Sequence, residues 1–317
     1  MQRFERFSWG VLAYNLGVIA WGAFVRATGS GAGCGAHWPT CNGEIVPRAA
    51  SVETMIELTH RATSGIALLL VAAQLVWALR LFPRGHRTRG LAIATMIFML
   101  LEALVGAALV LLELVADDQS VARAGWIAVH LVNTFLLVAS LTLTPWSVEH
   151  PAHPPAGRGG LTAPLGAVAL LILATGVAGA ITALGDTLFP SDSLASGLAA
   201  DLSPTAQFLV RLRVIHPLLA ALTALVLLAL SGFLAATRSA GVAGRPTRSL
   251  SLAVAVLVLT QMLAGLLNLY LLAPVWMQLV HLLLADLLWI AFVLLADAAS
   301  QTSPRPREAL GTAELPR

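Results

Sequence analysis

Apolar residues gather along this chain into eight long stretches, near 9–25, 61–82, 90–114, 125–145, 163–184, 207–236, 250–272 and 276–297. Each is too long for a strand. At about 1.5 Å per residue a helix of some 20 such residues crosses a hydrocarbon layer, and only internally hydrogen-bonded backbone is stable there. Pro83-Arg84-Gly85 and Pro151-Ala152-His153-Pro154-Pro155 punctuate the runs. The pattern predicts an all-α membrane protein of eight transmembrane helices. The stretch after Gln301 is polar and Pro- and Arg-bearing, and is expected to be solvated and disordered.

The pattern also repeats. Gly22-Ala23-Phe24 in span 1 matches Gly179-Ala180-Ile181 in span 5, and each is followed by a Gly-bearing turn. Glu102-Ala103-Leu104-Val105-Gly106 in span 3 matches Gln261-Met262-Leu263-Ala264-Gly265 in span 7. His60 corresponds to His216, and Val129-His130-Leu131 to Val280-His281-Leu282. Four matches in one order predict two pseudo-symmetric four-helix bundles related by an axis along the membrane normal. The expected organisation is an N-terminal bundle over 1–145, a cytoplasmic linker over 146–162, a C-terminal bundle over 163–298 and a cytoplasmic tail over 299–317.

Composition agrees with this reading. Hydrophobic residues make up 58% and charged residues 11%, against about a quarter charged in soluble domains. All 19 basic residues are Arg, and the formal net charge is +3. No basic run is interleaved with aromatics, so nucleic acid is not the expected partner; the lipid bilayer is. The N-terminus, the loops near 83–89, 146–162 and 237–249, and the tail hold or border 13 of the arginines. The other loops and helix ends hold six arginines and nine of the 16 acids. The positive-inside rule then puts both termini in the cytoplasm. The first span has a basic flank like a signal peptide, but its apolar run is long for one and no small-residue cleavage site follows.

Chemistry is concentrated in four histidines. His37, His86, His150 and His153 fall in loops, where solvated surface positions are expected. His60, His130, His216 and His281 each sit near the outer end of an even-numbered span. Ionisable residues in membrane helices are costly and default to a functional role, against which stands simple interhelical hydrogen bonding. One histidine per even helix, at one depth, in two repeat-related pairs, favours function. Neutral imidazole is a heme-iron ligand, and bundle cores hold such cofactors. One heme per half is expected, on His60 with His130 and on His216 with His281. No Cys or carboxylate cluster completes a zinc shell at either pair, and a proton relay would string polar groups across the membrane rather than gather them at one side.

Arg26, Arg61, Arg211 and Arg213 lie near the histidine level and are candidate partners for heme propionates, or interfacial snorkelling residues. In Glu57-Leu58-Thr59-His60-Arg61, Glu57 and His60 share a helix face. A carboxylate there can accept a proton or position water, or it can serve the helix dipole. The second half has Arg213 at the position three before His216, so one half is expected to do chemistry and the other to pass electrons. Cys34 and Cys41 flank a short ring in the first outer loop, where a disulfide is expected on the oxidising side; metal binding with His37 is the alternative. Glu102 and Asp286 lie inside spans 3 and 8 with no role assigned by spacing.

Taken together these residues resemble the heme A synthase family, of the bacterial type with a cysteine pair in the first outer loop. The resemblance runs from Gly22 to about Asp297. It rests on Arg26-Ala27-Thr28-Gly29-Ser30-Gly31, Cys34 and Cys41, Glu57-x-x-His60-Arg61 and the three later histidines. It implies conversion of heme O to heme A by oxidation of a porphyrin methyl to a formyl group, with oxygen from water after two two-electron steps. Further, it implies heme B resident on His216 and His281, substrate heme facing His60 and His130, Glu57 as the essential carboxylate, and a Cys34–Cys41 disulfide tied to turnover. Implied partners are heme O synthase, cytochrome oxidase assembly factors and a membrane electron acceptor, in the bacterial cell membrane. One departure stands out: the loop near 185–206 lacks the second cysteine pair of some bacterial members. A di-heme cytochrome b carrier is the rival that uses the same histidines. A transporter of two parallel repeats would need broken helices at the midplane.

Overall fold

The computed structural model describes residues 1–48, 50–150, 161–238 and 245–301. Among these there is no strand, only an isolated bridge between Cys41 and Glu44. Among the described residues ten α-helices are formed, with a 3-10 turn at Ser30–Ala32: α1 (Gln2–Ala27), α2 (Val52–Leu81), α3 (Arg87–Leu111), α4 (Val121–Glu149), α5 (Thr162–Leu188), α6 (Leu194–Asp201), α7 (Phe208–Leu212), α8 (Ile215–Thr237), α9 (Arg245–Tyr270) and α10 (Val275–Gln301). With α7 and α8 forming one span over Phe208–Thr237, eight helices among the described residues are long and apolar enough to cross a membrane. The protein is an all-α, multi-pass membrane protein. The segment 151–155, His153 and the tail after Gln301 lie outside the described residues.

The largest departure from the hydropathy pattern is α2, which begins at Val52 rather than near 61. Glu53, Thr54, Glu57 and Thr59 lower the local hydropathy. They still fold as helix, because the Ser51 hydroxyl caps the Thr54 N–H, the loop above takes up the Thr54 and Glu57 side chains, and the Thr59 hydroxyl donates back to the Met55 carbonyl. The predicted loop near 185–206 contains α6, started by a reciprocal capping box between Ser193 and Ser196.

Helices α1, α2, α3 and α4 touch in a closed ring, and α5, α8, α9 and α10 do so in the same order. The rings meet along α1, α4, α5 and α10. Lipid gives helices no hydrophobic reason to associate, so packing and interhelical hydrogen bonds decide. The Thr88 and Ser147 hydroxyls pair at 2.7 Å between α3 and α4, and those of Thr175 and Thr223 at 2.7 Å between α5 and α8. Between the rings, Trp289 Nε1 donates to the Phe135 carbonyl at 2.7 Å, and the two aromatic rings meet edge to face at 5.3 Å. Arg87 pairs with Asp297, which also accepts from Trp146 Nε1 at 2.8 Å.

Candidate functional site

Each of the four helix-borne histidines faces a glycine on a neighbouring helix. A Cβ on Gly22 of α1 would lie 2.9 Å from His60 Cε1, and one on Gly179 of α5 would lie 2.9 Å from His216 Cε1. For Gly265 against His281 the distance is 3.1 Å, and for Gly106 against His130 it is 3.9 Å. The glycines matched by the repeat are therefore the places where helix backbone leaves room for an imidazole. The histidines stand six to nine residues inside their spans, about 9 to 14 Å below the helix ends. All four are partly exposed rather than sealed in the core.

The His216 and His281 rings are 6.3 Å apart, centroid to centroid, at 83°. His216 Nδ1 lies 3.2 Å from the Thr175 backbone carbonyl. With the proton on Nδ1 directed at that carbonyl, the Nε2 lone pair is left for a metal. Nδ1 of His281 is buried without a hydrogen bond, and Gln261 Nε2 lies 3.4 Å from His281 Nε2 while donating to the His281 carbonyl at 3.1 Å. In the other ring, Nδ1 of His60 and Nδ1 of His130 are both buried without a hydrogen bond. Glu102 Oε1 stands 3.5 Å from His130 Nδ1. Its carboxylate is held by Asn133 Nδ2 and the Thr134 hydroxyl. Asn133, Thr134 and the Thr175 carbonyl carried no separate signal in the sequence. Asp286 is buried in α10, and its Oδ2 makes no hydrogen bond.

Glu57 does not open freely beside His60. It is buried, its Oε2 accepts the Cys34 N–H at 2.8 Å, and its Oε1 is paired with Arg61. Arg61 also donates to the carbonyls of His37 and Thr40, both at 2.6 Å. Cys34 and Cys41 are joined in a disulfide, which consumes the thiols that the metal alternative required. The loop lies directly on α2: the Thr54 hydroxyl donates to the Gly33 carbonyl at 2.6 Å, and a Cβ on Gly33 would fall 2.5 Å from the Glu53 carbonyl carbon.

Three of the four candidate arginines are occupied by protein. Arg61 is spent on Glu57 and the loop. Arg26 reaches the other ring, donating to the Ala183 carbonyl (2.8 Å), Thr187 Oγ1 (3.1 Å) and Gln278 Oε1 (2.8 Å). Arg213 lies 3.1 Å from Asp186 and 3.5 Å from Asp201, and donates to the Gly185 and Phe189 carbonyls. Burial pushes the Asp201 carboxyl above the usual range, and the nearby Arg213 charge opposes this. Arg211 is exposed, and its guanidinium forms no hydrogen bond or ion pair among the described residues. Of the loop histidines, His86 caps α3 through Nδ1 and the Thr88 N–H, and His150 stacks on Trp146.

A family model described as cytochrome oxidase assembly protein (COX15-CtaA) matches residues 5–293. A protoheme IX farnesyltransferase of Thermus thermophilus is 51% identical over 304 residues, covering 94% of this chain and 48% of the relative. Its counterpart in a second strain of that organism is also 51% identical over the same length. A heme A synthase of Bacillus mycoides is 44% identical over 111 residues, 35% of this chain and 36% of the relative. The chain thus spans about half the length of the Thermus relatives it matches.

Proposed function

The chain belongs to the cytochrome oxidase assembly protein (COX15-CtaA) family, and from that premise we propose that it is a heme A synthase, oxidising a methyl group of heme O to the formyl group of heme A. The observation that carries the reading is the separation of His216 and His281. Two metal–imidazole bonds of about 2 Å each, with roughly 1 Å from nitrogen to ring centroid, put the rings about 6 Å apart. The observed 6.3 Å fits that sum.

On this reading His216 and His281 hold a resident heme B, which supplies a one-electron relay. The His60–His130 pair faces heme O, whose farnesyl chain is as apolar as lipid and reaches the site sideways from the bilayer. Two two-electron oxidations convert methyl to formyl, water supplies the oxygen, and a membrane electron acceptor takes the electrons. Glu57 is the group assigned to orienting or deprotonating that water. Its Oε2 must first release the Cys34 N–H, so the disulfide loop governs when the carboxylate is free. Arg211 is the arginine best placed to meet a propionate. The same reading has two rotation-related bundles, over 1–145 and 163–298, with both termini cytoplasmic. Heme O synthase and oxidase assembly factors are its expected partners.

Glu57→Gln keeps the size of the side chain and removes its charge. Hemes extracted from membranes carrying this variant should contain heme B and heme O but no heme A; normal heme A would end the Glu57 assignment. The same extraction from the parent protein separates the other readings. Heme B alone favours a di-heme cytochrome. Heme O made from protoheme and a farnesyl donor by this chain alone favours the activity named for the Thermus relatives.

A further inference from the structure

The repeat places Glu102 where the other half has Gln261, each four residues before a glycine that faces a histidine. Both side chains lie against the histidine of the next helix, but they act oppositely. Gln261 turns its amide N–H groups toward His281, donating to the backbone carbonyl and lying against Nε2. Glu102 presents a carboxylate oxygen 3.5 Å from His130 Nδ1, which is buried and has no hydrogen-bond partner of its own. Its other oxygen is fixed by Asn133 Nδ2 at 2.6 Å, and Thr134 steadies Oε1 from the same helix as the histidine. His216 has a backbone carbonyl rather than a carboxylate at Nδ1. Among the described residues His130 is thus the one histidine of the four with a carboxylate at Nδ1. A carboxylate inside a membrane helix is costly. An amide could satisfy the same donors, so the charge is what distinguishes Glu102 from its counterpart.

We propose that Glu102 is a positioning residue that holds His130 Nδ1–H, strengthens His130 as an iron ligand and sets the N-terminal iron site at a lower potential than the C-terminal site. This rests on the heme reading above. A carboxylate accepting from Nδ1–H makes the imidazole a stronger donor, which favours ferric over ferrous iron; a carbonyl or an amide does so less. The resulting order is the one in which an electron leaving the iron at His60–His130, which is oxidised, reduces the iron at His216–His281 downhill.

The test is a redox titration at one fixed pH on full-length protein in detergent, loaded with hemin. A His216→Ala background leaves the His60–His130 heme as the reporter. In that background Glu102→Gln should keep its hemin, move the midpoint to a more positive potential and change the ferric low-spin EPR g values. Retained hemin with an unmoved midpoint overturns the inference and leaves the heme reading standing. Failure of the His216→Ala protein itself to take up hemin overturns both. Should Glu102→Gln not hold hemin, Thr134→Val decides. It removes a competing donor from Oε1, and the midpoint should then shift to a more negative potential; no shift overturns the inference.

Discussion

Replacing Gly179 with Ala adds one methyl group to α5, directly against the His216 ring. The new carbon would stand 2.9 Å from Cε1, 3.2 Å from Nδ1 and 3.4 Å from Nε2. Carbon atoms rest at about 3.5–4.0 Å, so the ring must retreat by roughly 0.6–1.1 Å. Its Nδ1 is already 3.2 Å from the Thr175 carbonyl, and that bond breaks if the ring moves away from α5. Metal sites tolerate errors of only about 0.2 Å in ligand distance. Overpacking of this kind costs about 1–3 kcal/mol, which is roughly 5- to 150-fold in affinity. Alanine also favours a helix over glycine by up to about 1 kcal/mol, so loss of heme would not reflect a weakened α5. The assay is heme content and the reduced low-spin absorbance spectrum of purified protein, with thermal unfolding in parallel. The matched control is Gly106→Ala, whose Cβ would have 3.9 Å of room at His130 and should leave the spectrum unchanged. A Gly179→Ala protein with the parent's heme content and spectrum would refute the link between this glycine and the proposed metal-binding position of His216.

Arg213→Met should destabilise the fold by about 3–5 kcal/mol, read by thermal or denaturant unfolding, because it leaves Asp186 and Asp201 without their cation. The fold holds the Asp201 proton more tightly than the unfolded chain does, so lowering the pH toward and just above the usual carboxylate range should recover part of the loss; a deficit that grows on acidification contradicts this. Gly33→Ala drives a methyl into the backbone of Glu53 and should lift the disulfide loop from α2, measured as faster hydrogen exchange over residues 33–44 and lower heme A output. Unchanged exchange would show that the loop does not depend on this contact.

Much of the architecture was readable because lipid imposes long apolar runs, and because the two halves repeat the same Gly and His positions. The beginning of α2 was hidden: its first turns are polar, and hydropathy cannot see that a cap and an overlying loop satisfy them. Short α6 carried only a Ser193-x-x-Ser196 signal. The positions of the four histidines and of the glycines they face were visible through the repeat. What lies near their Nδ1 atoms was not, since at His216 it is a backbone carbonyl and at His130 a carboxylate 28 positions away in the chain. The protein partners of Arg26 were hidden for the same reason. They lie 157 to 252 positions along the chain, and no local pattern encodes them.

The reach of Arg26 into α5 and α10 bears on how a bulky planar molecule could come and go. Near one end the guanidinium ties the two rings together, and near the other Arg87 and Asp297 do the same. Parting the rings like a clamshell would break both charged latches at once. A path along the seams between helices within one ring would leave both latches closed.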